Sequence, residues 1–235
     1  MDGRELLPNL QARIIRPLRR NHEVDLFAVT YPSPVAEAMF ADLAPKSALL
    51  LDSRESSQIE TFGRALDLIR ETGPYDRIVA TRFDLLYLKS IEAWPIWEAR
   101  GVYFIWREYE EYWRDHGRVG DAIHVVDWSA LDAFQSGLAA LRGQGDMHLL
   151  YRAVEPAGVP IHFIEDGFFD SNTLYSNPEC ANPLYRVGNR PRLPVPQPVR
   201  PPWRPGWKRR IENRLGNLFV NAAAAAYRAG RSLAG

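Results

Sequence analysis

The chain has 235 residues, 29 basic and 29 acidic side chains, a formal net charge of zero and one cysteine, Cys180. That length suits one sizeable core, or a core plus a tail. A lone cysteine excludes an intrachain disulfide framework and fits a reducing compartment. No run approaches about 18 consecutive apolar residues, so nothing reads as a membrane span, and the acid-bearing start MDGRELLPNL is not a secretory signal.

Taken in chain order, Glu5 to Arg20 carries apolar residues at helical spacing and predicts an amphipathic helix. Val24 to Thr30 (VDLFAVT) predicts a buried strand that Tyr31-Pro32-Ser33-Pro34 ends, and Ser47 to Leu51 a short strand. Gln58 to Thr72, with Ile59, Phe62, Leu66 and Ile69 on one face, predicts a helix that Gly73-Pro74 stops. Arg77 to Thr81 predicts a buried strand ending in Arg82-Phe83-Asp84. Leu88 to Trp97 reads as loop or short helix, Gly101 to Trp106 as a strand, and Glu108 to Arg118 as loop or short helix with a solvated acidic face. Ala122 to Val126 is a strand, Ser129 to Leu141 a helix, Asp146 to Val154 a helix, and Val159 to Ile164 a strand running into the polar loop EDGFFDSNTLYSNP. Strands alternating with helices predict a single α/β domain with a mostly parallel central sheet, Rossmann-like in plan.

Zero net charge hides a split. Arg190 to Gly235 holds ten Lys/Arg and one acid, Glu212, a charge of +9, which leaves −9 on residues 1–189. The expected organisation is a folded body at 1–189, a Pro-rich extended linker at 190–206, and a basic amphipathic helix at 207–235. In that helix Ile211, Leu215, Leu218 and Phe219 share a face while Lys208, Arg209, Arg210 and Arg214 crowd the first turns, a pattern suited to a membrane surface. The mixture of basic and apolar faces suits lipid better than nucleic acid, so the sequence predicts a cytoplasmic protein held peripherally on the inner face of the cell membrane.

Three constellations carry chemistry. Arg82 and Asp84, two apart at a strand end, share a face and point into the crevice where open α/β sheets bind ligands. Asp84 suits a divalent cation, Mn²⁺ or Mg²⁺, and Arg82 a phosphate. The plain alternative is a salt bridge or loop cap. Asp121, after Gly120, enters a strand from a loop and suits sugar hydroxyls; the alternative is a turn aspartate, and Gly120 there permits close backbone approach to a ligand. Glu165 and Asp166 follow another strand, where a carboxylate can take the proton of an attacking hydroxyl. His124 reads as a packed core residue. The aromatics Trp94, Trp97, Tyr103, Trp106, Tyr109, Tyr112 and Trp113 suit sugar or base stacking, and core packing equally. The chain holds no P-loop or G-x-G-x-x-G signature, no zinc spacing around Cys180, and no G-x-S-x-G elbow.

The strings VDLFAVTY, YDRIVATRFDLLYL, GRVGDAIHVVDWSALDAF and GVPIHFIEDGFFDSN, covering roughly Arg16 to Asn172, resemble GT-A-like glycosyltransferases of bacterial and viral surface-polysaccharide synthesis. In that group a strand ending in Arg-x-Asp stands where other members carry Asp-x-Asp. The resemblance implies that Asp84 holds metal and nucleotide diphosphate, that Asp121 touches sugar, and that the partners are a nucleotide-sugar donor and a glycan acceptor, including a lipid-linked one. The chain has no Asp-x-Asp. Such enzymes usually open on a strand that supplies a nucleotide-binding loop, whereas here a helix-like segment comes first and Val24 to Thr30 resembles the second strand. Either that opening strand has been lost, or Met1 to Asn9 is the remainder of the loop and Arg4 still reaches a phosphate. The alternative function is a non-catalytic glycan-synthesis module that kept the fold without a complete donor site.

Overall fold

A computed structural model describes residues 6–33, 36–52, 57–169 and 183–187. Arg4, the 190–206 linker and the 207–235 tail lie outside them. Among the described residues no helix is long and apolar enough to cross a membrane.

The first segment is helical but not one regular helix. α1 (Leu6–Leu10) passes into a π-helical turn at Gln11–Ile15 and on into α2 (Arg16–Asn21). Then come β1 (Phe27–Thr30), α3 (Ala36–Leu43), β2 (Ser47–Leu50), α4 (Gln58–Thr72) and β3 (Arg77–Thr81). α4 starts where the side chain of Ser57 accepts a hydrogen bond from the Glu60 amide at 3.1 Å, an N-cap that satisfies one orphan donor. It ends where the Gly73 amide donates to the Ile69 carbonyl and Pro74 prevents continuation.

β4 (Leu85–Tyr87) follows the Arg-Phe-Asp triplet at once. β5 (Val102–Phe104), β6 (Arg107–Glu108), α5 (Glu110–His116), β7 (Ile123–Asp127), α6 (Leu131–Leu141), α7 (Leu150–Val154), β8 (Ile161–Phe163), β9 (Phe168–Phe169) and β10 (Tyr185–Val187) complete the described chain. A 3-10 turn at Met147–Leu149 leads into α7, so the helix expected from Asp146 is shorter and preceded by a tight turn.

The sheet corrects the expectation of mostly parallel strands. The four-stranded sheet runs β3-β7-β5-β8. β7 is antiparallel to both β3 and β5, and β5 is parallel to β8. β1 and β2 form a separate parallel pair, β4 and β10 an antiparallel pair, and β6 and β9 a short parallel pair. The fold is therefore mixed α/β. Side-chain alternation sends Val102, Phe104 and Val126 to one face, where they pack with Ile78 and with Phe62, Leu66, Phe134, Leu138 and Leu150 from α4, α6 and α7. Tyr103, Ile105, Ile123 and Val125 go to the other face and meet Leu10, Ile14 and Ile15 of the first helical segment, together with Leu85, Tyr87 and Tyr185. Two apolar cores thus sandwich the sheet.

Candidate functional site

The antiparallel pairing of β3 and β7 builds the site. Thr81 stands opposite Ile123, so the residues just past the carboxyl end of β3 lie beside those just before β7. β3, β5 and β8 all end on this edge, and β7 begins there. Across it lie, in order, Arg82, Asp121, the Ile105–Trp106 segment and Glu165. The carboxyl edge of an open sheet is where ligands settle.

Arg82 grips Asp84 with two bonds, Nε to Oδ1 at 2.9 Å and a terminal nitrogen to Oδ2 at 2.6 Å. Its other terminal nitrogen lies 3.9 Å from Asp121 Oδ2. Burial alone would lower the basicity of Arg82; Asp84 and then Asp121 outweigh it and raise it. Asp84 retains 37% of its side-chain exposure and lines a cavity of about 1270 Å³. It is thus paired, as the plain alternative supposed, but neither turned into the core nor remote from open space.

A row of charges that the linear sequence does not announce continues from Asp121. His148 Nε2 lies 3.8 Å from Asp121 Oδ2. His148 Nδ1 lies 3.1 Å from Glu108 Oε1 and 2.8 Å from the Val119 carbonyl. Glu108 Oε2 accepts from Arg118 Nε at 3.1 Å, and Arg118 donates on to Asp146 at 2.6 Å. Glu108 is 6% exposed, so the solvated face expected for it is wrong: α5 turns Glu110 and Glu111 outward, but Glu108 sits on β6 under the sheet edge. Burial pushes the His148 imidazole down, and the Glu108 carboxylate, then Asp121, more than reverse this, raising its pKa to about 9. His148 is therefore a cation at neutral pH, flanked by two carboxylates. Gln58 steadies the same corner by donating to the Asp121 carbonyl at 2.8 Å.

Gly120 does permit a close approach, but to protein. A Cβ there would meet Ile105 Cγ2 at 2.3 Å and the Trp106 indole at 2.9 Å. The Gly120 amide donates to the Trp106 carbonyl, which draws the start of β7 against the end of β5. His124 is core as expected, ringed by Phe62, Phe104 and Phe134, and burial lowers its pKa to about 4. Trp94, Tyr103 and Trp106 are core; Trp97 keeps 43% exposure, stacks on His22 and sits beside Arg77.

The two candidate bases stand apart from the Arg82 group. Glu165 follows β8, three ladder spacings or about 14 Å from β3. It pairs with Lys89 Nζ at 2.5 Å and is 22% exposed. Asp166 is 90% exposed and held outward by Arg107 at 2.6 Å. Arg107 in turn lies 4.0 Å over the Phe163 ring.

Among the described residues no three His, Cys, Asp or Glu groups converge as a metal-ligand set. Both oxygens of Asp84 face Arg82. These residues do not fit a resident divalent cation. An ion at Asp84 would have to bring further ligands with it.

No family model matches the chain, and no curated protein matches it. Among solved structures it is similar to a candidate nucleotide-diphospho-sugar transferase from Desulfovibrio desulfuricans, 17% identical, with a TM-score of 0.47 over 74% of this chain and 72% of that one. A likeness of that size carries no weight for the roles of individual residues.

Proposed function

We propose that the chain is a GT-A-like glycosyltransferase that moves a sugar from a nucleotide diphosphate donor to a surface-glycan acceptor. The observation that carries this reading is the Arg82–Asp84–Asp121 group at the carboxyl edge of the sheet, beside a cavity. Arg82 is the anion anchor: a planar guanidinium meets diphosphate oxygens as it now meets the Asp84 carboxylate. Asp84 holds the guanidinium in place until the diphosphate competes for it. Asp121, 16% exposed and fixed between Arg82 and His148, orients sugar hydroxyls. Glu165 is the better-placed base. It lies on the same sheet edge, half-enclosed, whereas Asp166 points to solvent.

The charge opposite the diphosphate comes from Arg82 in this scheme. Mn²⁺ and Mg²⁺ enter the test as added ions, with Asp84 as the candidate contact for an ion carried by the donor. The deciding experiment is a thermal-shift screen of UDP-, GDP- and dTDP-sugars with and without Mn²⁺. At least one donor should raise Tm, and the shift should vanish in Arg82→Ala. If no nucleotide sugar shifts Tm, the non-catalytic module is the better reading; the closed Arg82–Asp84 pair is the feature that favours it.

The tail completes the proposal. Six basic residues against one acid at 207–235, next to an apolar face, with four more arginines at 190–206, suit a cytoplasmic membrane surface carrying anionic lipid. Each basic residue near such a surface contributes about 1 kcal/mol. Deleting residues 207–235 should abolish sedimentation with anionic liposomes, and retained sedimentation would refute the role.

A further inference from the structure

Asp121 is an enclosed carboxylate whose oxygens are not yet used. Its side chain is 16% exposed, yet it accepts no hydrogen bond from any described residue. Polar groups so enclosed are ordinarily bonded. Two cations flank it and both stop short. An Arg82 terminal nitrogen lies 3.9 Å from Oδ2, and His148 Nε2 lies 3.8 Å from the same oxygen. Both separations exceed a hydrogen bond.

His148 is fastened from behind, which fixes that gap. The Val119 amide donates to the His148 carbonyl at 2.9 Å, and His148 Nδ1 lies 2.8 Å from the Val119 carbonyl and 3.1 Å from Glu108 Oε1. A carbonyl oxygen only accepts, so Nδ1 carries the hydrogen there. The His148 amide donates to Asp146 Oδ1 at 3.1 Å and closes the turn. The ring is thus oriented by backbone on one side, with Nε2 turned toward Asp121. Nε2 makes no hydrogen bond to a described residue. The carboxylates around the ring keep it protonated at neutral pH, so Nε2 also bears a hydrogen. The result is an unused donor facing an unused acceptor.

We infer that His148 Nε2 and Asp121 Oδ2 form a donor–acceptor pair that holds a single hydroxyl group of the transferred sugar. The width of the gap suits this. An oxygen at about 2.8 Å from each atom bridges them, as a water or hydroxyl does between polar groups too far apart to bond directly. A hydroxyl meets both demands at once, giving its hydrogen to the carboxylate and accepting one from the imidazolium. A deoxy position does neither. Fluorine and methoxy substituents have no hydrogen to give. The pair therefore selects a hydroxyl at one position of the ring, because any other substituent leaves an enclosed polar group without a partner.

A purely internal ion pair would close further. Arg82 reaches Asp84, and Arg118 reaches Asp146, at 2.6 Å. His148 and Asp121 stand more than an ångström wider apart, each enclosed and each held by its own segment. The inference rests on the donor reading, since it needs a nucleotide sugar bound beside Arg82, and adds to it a residue and a selectivity.

The test titrates the full chain by calorimetry with UDP-glucose, UDP-galactose, GDP-mannose and dTDP-glucose, each beside its bare nucleotide diphosphate and its single-position deoxyfluoro analogues. In the wild type one fluorinated position should weaken binding about tenfold, with the others within about threefold. His148→Asn keeps an N–H where Nδ1 meets Val119 but removes the Nε2 donor. It should bind the bare diphosphate as the wild type does, bind the sugar nucleotide about tenfold more weakly, and no longer distinguish that position. His148→Gln, which can place an N–H nearer Nε2, should recover part of the loss. The inference is overturned if no single position matters in the wild type, if His148→Asn keeps the preference, or if it weakens the bare diphosphate equally, which would make His148 a support for the whole site. Should His148→Asn not fold, Asp121→Asn removes the acceptor of the same pair and must erase the same preference. Binding of diphosphate and sugar nucleotide with no positional preference leaves the donor reading standing and ends this one. Binding of neither ends both.

Discussion

Arg82→Ala is expected to lower kcat/KM for the nucleotide-sugar donor by about 10²- to 10³-fold, the loss seen when a preorganised donor facing developing charge is removed. The leaving diphosphate gains negative charge as the glycosidic bond breaks, and Arg82 lines the cavity just past the end of β3. Arg82→Lys should recover only part of the loss, because an ammonium lacks the planar fork that now spans both Asp84 oxygens. Asp84→Asn separates two roles. If the carboxylate only holds Arg82, the variant keeps donor binding without added Mn²⁺. Loss of donor binding in the absence of any metal would show that Asp84 itself is needed to shape the site. Steady-state kinetics with isothermal titration of the donor, with and without Mn²⁺, read both. Unchanged kcat/KM in Arg82→Ala would remove the anion-anchor role outright.

The second large effect is on stability. Glu108→Gln should cost about 3–5 kcal/mol, the usual penalty for breaking a buried ion pair from one side. It leaves the cations His148 and Arg118 facing each other across a neutral amide. For a protein of this size that corresponds to a drop in Tm of roughly 6–20 °C. The sign of the accompanying pH dependence follows from His148. Its folded pKa is raised to about 9 from an ordinary 6.5. Its stabilisation, about 3 kcal/mol at full strength, is complete below pH 6.5 and is lost as pH rises toward 9. Denaturation at pH 6 and pH 9 should therefore show the wild type losing stability across that window, with the loss much reduced in Glu108→Gln. A wild type equally stable at both values would mean that His148 is neutral in the fold.

The sequence made α4 and β3 legible to the residue. Their signals are local: a helical apolar stripe and a Gly-Pro stop in one, and a short apolar run between polar flanks in the other. Strand direction was not legible, because alternation looks the same whichever way a strand points. The expectation of mostly parallel pairing failed at β7, which reverses between β3 and β5. β4 and β10, three residues each, lie too close to loops to show a period. The Arg82–Asp84 pairing matches the salt bridge weighed from the sequence, but the two residues lie past the end of β3, with Asp84 in a turn, and do not share a strand face. His148 could not be anticipated. It reads as one polar residue entering a helix, and only the contact of its 3-10 turn with Val119 brings it between Asp121 and Glu108. The same holds for Glu108, whose acidic neighbours suggested a wet surface.

β7 ends on one carboxylate and is preceded by another, and each lies near an arginine at one end of β3, Arg77 as its first residue and Arg82 just past its last. Asp127, 1% exposed, takes Arg77 Nε at 2.8 Å and also the Gly101 amide. Asp121 lies near Arg82 at the opposite end. The ladder between them is thus buttoned at top and bottom, and sliding it by a single residue would undo both fastenings while turning every apolar side chain to the wrong core. The alignment of the groups around Arg82 is held in part from the far end of the hairpin-like pair, a strand's length away from the ligand they are proposed to meet.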